Sequence, residues 1–269
     1  MNWYLLPDGN VQIAFSGGRT SGFMLHQILE ANGGLPDRVE VTFQNTGRER
    51  PETLDFVAEV SRRWQVDITW LEYRAEKPLF EVVGYQGASR NGEPFDALIR
   101  RKQGLPNQMQ KWCSAGLKTL TAKRYLVKKG WKKWHSAVGF RADEEHREPY
   151  SDNRSTAWLP LRSAGVSKHD VALFWRGQPF DLKLPLVRGK TIGGNCDYCF
   201  LKSEAVIAAG LREDPERAQW WLDREAETGR SFSKRYKRAD LQSFIQRQGD
   251  WIFDDQDALC QADGGECTA

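Results

Sequence analysis

The stretch QIAFSGGRTSGFML, residues 12–25, decides the fold. A short apolar run ends abruptly in Ser16, Gly17, Gly18, Arg19, Thr20 and Ser21, and apolar residues at helical spacing follow. Residues 11–15 read as a buried strand and 20–31 as the helix after it. A glycine-rich turn between them lets backbone N–H groups face an anion, with the positive end of the helix dipole behind them. Ser16, Thr20 and Ser21 add hydroxyl donors, and Arg19 adds charge. The spacing is neither that of a Walker loop nor G-x-G-x-x-G. Phosphate is the expected ligand of this turn.

Working outward, residues 39–44 and 68–72 read as further strands, with a helix between them over 51–64 that carries Pro51 in its first turn. Strand and helix alternate at the spacing of right-handed βαβ units, which predicts an α/β, doubly wound parallel sheet. Loops after such strands line the ligand crevice. FQNTGRERPET, residues 43–53, follows the second strand and places Asn45, Thr46 and Glu52 there. Residues 85–110 form a polar, basic excursion with a helix near 96–103. A strongly basic helix is expected over 115–129, a strand over 135–140, a capping box at Ser167 to Asp170, and a further helix from Asp214-Pro215. The sheet domain is assigned to residues 1–190 and a helical, cysteine-bearing region with a tail to 191–269.

Of 269 residues, 40% are hydrophobic and 28% charged, and the net charge is +3. That is enough to bury a sizeable core, and the mild basicity suits an anionic ligand. No apolar run approaches a membrane span and MNWYLLPDGN has no signal-peptide pattern, so a cytoplasmic protein with no membrane partner is expected. Cys196 and Cys199 form a C-x-x-C among five cysteines, which in a cytosolic chain suggests metal or redox chemistry.

SGGRTS and FQNTGRERPET, followed by KWCSAGLKTLTAKRYL, GFRADEEHRE and GGNCDYCFLKS, resemble the PAPS/APS (sulfonucleotide) reductase branch of the adenine-nucleotide α-hydrolases, the PP-loop superfamily. The resemblance covers residues 11–203. It implies an adenine nucleotide, PAPS or ATP with Mg2+, held by Ser16, Gly17, Gly18, Arg19, Thr20, Ser21, Asn45, Thr46, Gly47, Glu52, Gly139 and Arg141. Two departures stand out. Thr20 occupies the acidic position of the ATP-splitting relatives' loop, and Trp112-Cys113 replaces the Cys-Cys pair of cluster-bearing reductases.

Cys113, Cys196 and Cys199 are therefore metal candidates. Soft thiolates suit a 4Fe–4S cluster or, as the runner-up, zinc. Three ligands would leave one iron open, whereas Cys260 or Cys267 would close the set. Glu266-Cys267 also resembles part of the reductases' C-terminal nucleophile motif, which makes Cys267 and Arg141 catalytic candidates. Arg100, Arg101, Lys102, Lys111, Lys118, Lys123, Arg124, Lys128, Lys129, Lys132 and Lys133 cluster near Trp112, Trp131 and Trp134, a composition that suits either a single-stranded nucleic-acid groove or a solvated helix face. Three functions follow as expectations. The first is sulfonucleotide reduction with a thioredoxin-type reductant. The second is ATP-dependent thiolation of a nucleic-acid acceptor through an open cluster. The third is a zinc-stabilised nucleotide-binding module without catalysis.

Overall fold

The computed structural model describes residues 2–187 and 190–248. Its main sheet holds β1 (Val11–Ala14), β2 (Val39–Asn45), β3 (Ile68–Tyr73), β4 (Phe80–Val83), β5 (Trp134–Ala137) and β6 (Ser155–Trp158), in the order β4-β3-β2-β1-β5-β6. Every neighbouring pair is parallel except β3 and β4. The order reverses direction at β1, so the crevice beyond the carboxyl ends of β1 and β5 is the natural ligand position.

The helices are α1 (Arg19–Asn32), α2 (Pro51–Trp64), α3 (Glu93–Lys102), α4 (Leu120–Lys128), α5 (Pro160–Ser163), α6 (Lys168–Arg176), α7 (Glu204–Glu213), α8 (Pro215–Thr228) and α9 (Arg238–Gln248). A π-helical turn, Ser114–Thr119, leads into α4. A short antiparallel pair, β7 (Leu186–Val187) and β8 (Lys190–Thr191), precedes the C-x-x-C.

Alternation along β1 builds the two-sided wrap. Val11, Ile13 and the following Phe15 pack with α1, α2 and α6, whose Leu25, Val57 and Trp175 are buried. The opposite face is covered by α4 and is polar. There Glu40 on β2 accepts hydrogen bonds from Thr69 Oγ1 (2.6 Å) and Tyr125 Oη (2.6 Å) and pairs with Lys129. Burial pushes the Glu40 carboxyl up, but the hydrogen bonds from Lys129, Thr69 and Tyr125 outweigh it and hold the group below its ordinary value. Glu40→Gln is expected to cost about 1–2 kcal/mol at pH 7. A carboxyl depressed by folding stabilises above its unfolded value and loses that contribution as pH falls through the folded one. Urea melts of wild type and variant should therefore converge in acid.

A second core joins α3 and the π-turn to the C-terminal helices, through Phe95, Leu98, Leu117, Tyr198, Trp221 and Phe232. The capping box forms at Ser167 and Asp170, and Asp214 caps α8 through Arg217 N (3.3 Å). Four expectations change. The basic helix over 115–129 is a π-turn followed by α4, because π-register leaves no mark on apolar spacing. The strand over 135–140 ends at Ala137 and gives way to a loop. The helix expected over 96–103 begins earlier, at Glu93. Strands β4 and β6 are additions at the two sheet edges, each four residues long.

Candidate functional site

The turn at 16–21 is built by its own hydroxyls. Ser16 N donates to Ser21 Oγ (3.2 Å), the two hydroxyls lie 3.0 Å apart, and Ser21 Oγ donates to Gly18 O (3.0 Å). Gly17 adopts φ +76°, and Gly18 is the N-cap of α1 with no side chain capping that end. No acidic residue occupies the first turn of α1. A helix start without a competing carboxylate suits an anion.

A cleft of about 590 Å³ opens beyond β1, β2 and β5. Ser16, Thr46 and Gly139 line it, and so do Cys113, Cys196, Cys199 and Lys118. The remaining sequence-predicted residues stand elsewhere. Arg19 turns away, its Nε donating to Asp181 Oδ1 (2.7 Å). Asn45 is fully buried and donates to Glu72 Oε1 (2.6 Å) and Ser89 O (2.8 Å), while its own Oδ1 accepts from Gly47 N (3.1 Å). Asn45 and Gly47 thus shape the loop that presents Thr46. Glu52 sits in the first turn of α2, with Arg50 Nε at 3.5 Å.

Thr20 is buried, and Arg141 Nη1 donates to its hydroxyl (3.2 Å). Arg141 is itself buried and also pairs with Asp143 through Nε (2.8 Å), while its N–H donates to Glu144 Oε2 (3.0 Å). A neutral hydroxyl in the turn thus meets a buried guanidinium that the Asp143 and Glu144 carboxylates also hold.

All three described cysteines are free thiols. Burial, reinforced by Cys199, pushes the Cys113 thiol up to about 12. Burial, with Glu49 and Cys199, raises Cys196 as well, against the pull of Lys118 and Thr46. Cys196 Sγ lies 3.3 Å from Thr46 Oγ1. Among the described residues no three His, Cys, Asp or Glu side chains stand in a ready metal-binding arrangement. Cys260 and Cys267 lie outside the described residues.

Cys113 is the N-cap of the π-turn; Cys113 and Lys118, five residues apart across it, both line the cleft, as does Lys123 of α4. Gly116 lets the turn press on α3, since a Cβ there would come 2.6 Å from Leu98 Cδ2. π-turns interrupt helices preferentially at functional sites.

The sequence reading passed over Gln12, Gln44 and Ser136, which line the cleft from within the sheet. Gln12 Nε2 and Gln44 Nε2 both donate to Thr42 Oγ1 (2.9 and 2.8 Å), and Ser136 Oγ donates to Gln12 Oε1 (2.7 Å). The signal was polar residues inside parallel strands, where apolar runs are the rule. The basic and aromatic cluster dissolves into separate roles. Trp131 and Trp134 are buried beside Leu126, Lys129 pairs with Glu40, and Lys123 pairs with Asp152. His26 packs edge-on against Trp64 and Phe174, a structural role. No helix among the described residues is long and apolar enough to cross a membrane.

Among solved structures, the chain is similar to the phosphoadenylyl-sulfate reductase from Candida auris in its phosphate complex, at 18% identity and TM-score 0.42, over 62% of this chain and 71% of that one. It is also similar to the U34-tRNA thiolase NcsA from Methanococcus maripaludis with its 4Fe–4S cluster, at 11% identity and TM-score 0.38, over 93% and 84%. The uncharacterised nin region protein ORF290 of Escherichia phage lambda is 30% identical over 212 residues, covering 75% of this chain and 69% of the relative. The phosphoadenosine phosphosulfate reductase domain model matches residues 10–155, the span that holds the phosphate turn, the Thr46 loop, Cys113 and Arg141, and the chain belongs to that family.

Proposed function

We propose that the protein binds an adenine nucleotide, ATP or PAPS, on the turn at 16–21 and carries out sulfur chemistry at Cys113, Cys196 and Cys199. One observation carries the reading: a single cleft contains both Ser16 and all three thiols. The N-terminus of helix α1 supplies positive potential for the phosphates. Lys118 lines the same cleft and its charge acts on both Cys113 and Cys196, so it can offset negative charge on the sulfurs.

The donor set is all sulfur, which suits a 4Fe–4S cluster better than an oxygen-seeking metal, with zinc the runner-up; the three thiols share the cleft and would have to draw together to hold either. Bound by three thiolates, such a cluster would offer one open iron for a sulfide. Among the two reactions, sulfur transfer is favoured because its thiols all line the cleft. ATP would transfer AMP to an acceptor oxygen, releasing pyrophosphate, and a sulfur nucleophile would then displace AMP. A nucleic-acid base is one acceptor class. The rival is reduction of PAPS, with Cys267 attacking sulfur and a thioredoxin-type reductant freeing sulfite.

Anaerobic purification is expected to give a brown protein with about four irons per chain. Cys196→Ser should lose iron while still binding ATP by calorimetry. A colourless protein with no iron would end the cluster reading. Sulfite from PAPS, without pyrophosphate from ATP and a nucleic-acid acceptor, would decide for reduction.

A further inference from the structure

Asp197 stands between the two cysteines of the C-x-x-C, and its side chain is almost wholly buried. Its carboxylate takes hydrogen bonds from Arg48 Nη2 (2.7 Å), Arg217 Nε (2.9 Å) and Trp221 Nε1 (2.8 Å), and from Tyr198 N in its own turn (3.1 Å). Arg48 belongs to the loop after β2, and Arg217 and Trp221 belong to α8. The backbones follow the same joint. Asp197 N donates to Arg48 O (2.9 Å), Glu49 forms a β-bridge with Cys196, and Arg217 Nη2 donates to Glu49 O (3.1 Å). Thr46, whose hydroxyl donates to Glu49 Oε2 (2.8 Å), completes the joint by touching Cys196.

We infer that Asp197 is a positioning residue that fastens the thiol turn to the Thr46 loop, so that the nucleotide wall and the thiols Cys196 and Cys199 hold one fixed geometry. A buried carboxylate shared by two guanidiniums is costly to disturb, because removing it strands positive charge. A surface turn would not need such a device. Cys113 reaches the same cleft from the π-turn and is not among the residues hydrogen-bonded to Asp197, so it serves as the comparison thiol. The link to nucleotide rests on the function proposed above, whereas the fastening itself does not.

The test is alkylation of metal-free, full-length protein by iodoacetamide, mapped by mass spectrometry with and without MgATP. The variants are Asp197→Asn, which keeps shape and loses charge, and Trp221→Phe, which removes one hydrogen bond and keeps bulk. In both, Cys196 and Cys199 are expected to react faster, about tenfold for Asp197→Asn, while Cys113 stays near its wild-type rate. MgATP should alter Cys196 labelling in wild type and lose that effect in Asp197→Asn. Unchanged Cys196 and Cys199 rates in both variants would overturn the proposal, and so would equal acceleration of all three thiols in Trp221→Phe. If wild type does not bind MgATP, the ATP-dependent reading fails, and the selectivity among the thiols still decides the role of Asp197.

Discussion

Gly17→Ala is expected to abolish nucleotide binding and to destabilise the protein by roughly 2–4 kcal/mol. Gly17 sits at φ +76°, where an L side chain is strained, and its added Cβ would come 2.8 Å from Thr53 Cγ2 and 3.1 Å from Phe43 and Val57. Those neighbours belong to β2 and α2, so the clash cannot be relieved by one flexible side-chain tip. The turn must shift, and with it the N–H groups at the start of α1. Gly33→Ala is the control. Gly33 is also at positive φ, +63°, but nothing lies within 4 Å of its Cβ position. It should cost about 1 kcal/mol and leave binding intact. Urea unfolding and ATP calorimetry on the pair separate backbone strain from loss of the site. Wild-type affinity in Gly17→Ala would contradict the assignment of the turn.

Glu225→Ala is the second large effect, about 3–5 kcal/mol, from leaving a buried guanidinium unpaired. Glu225 and Arg238 are both buried. The carboxylate takes Arg238 Nη1 (2.9 Å), Arg238 N (2.7 Å), Phe232 N (3.0 Å) and Ser231 Oγ (3.1 Å). Arg238 then donates from Nη2 to Tyr198 O (2.7 Å), inside the C-x-x-C turn. The variant should open the second core first. Limited trypsin digestion is expected to release the C-terminal helices while the sheet, with its separate core around Ile13 and Val57, resists. Co-operative melting of the whole chain with unchanged digestion would refute this.

The elements legible in the sequence are those whose signal is local. Strands β1 and β2 alternate apolar with polar residues and end at turn residues, and Pro51 marks α2. Ser16 and Thr46 follow from the rule that ligands sit beyond strand ends, Gly139 follows from the family resemblance, and all three line the cleft. What failed depended on partners far along the chain. Arg19 reads as a phosphate ligand beside Gly18, but Asp181 claims it from 162 residues away. Strand β6 needs the edge of β5 to exist, and STAW, four residues long, carries no periodicity. Asp197 reads as a spacer between cysteines, since Arg48, 149 positions earlier, gives its charge a purpose.

The π-turn at Ser114–Thr119 makes the first thiol a matter of phase. Each residue of an α-helix rotates the chain by about 100°. Deleting a single residue within this turn would let it rewind as ordinary helix, leave α4 packed where it is, and swing Cys113 by about that angle off the cleft wall. The count of residues between Cys113 and α4 is thus itself part of the site.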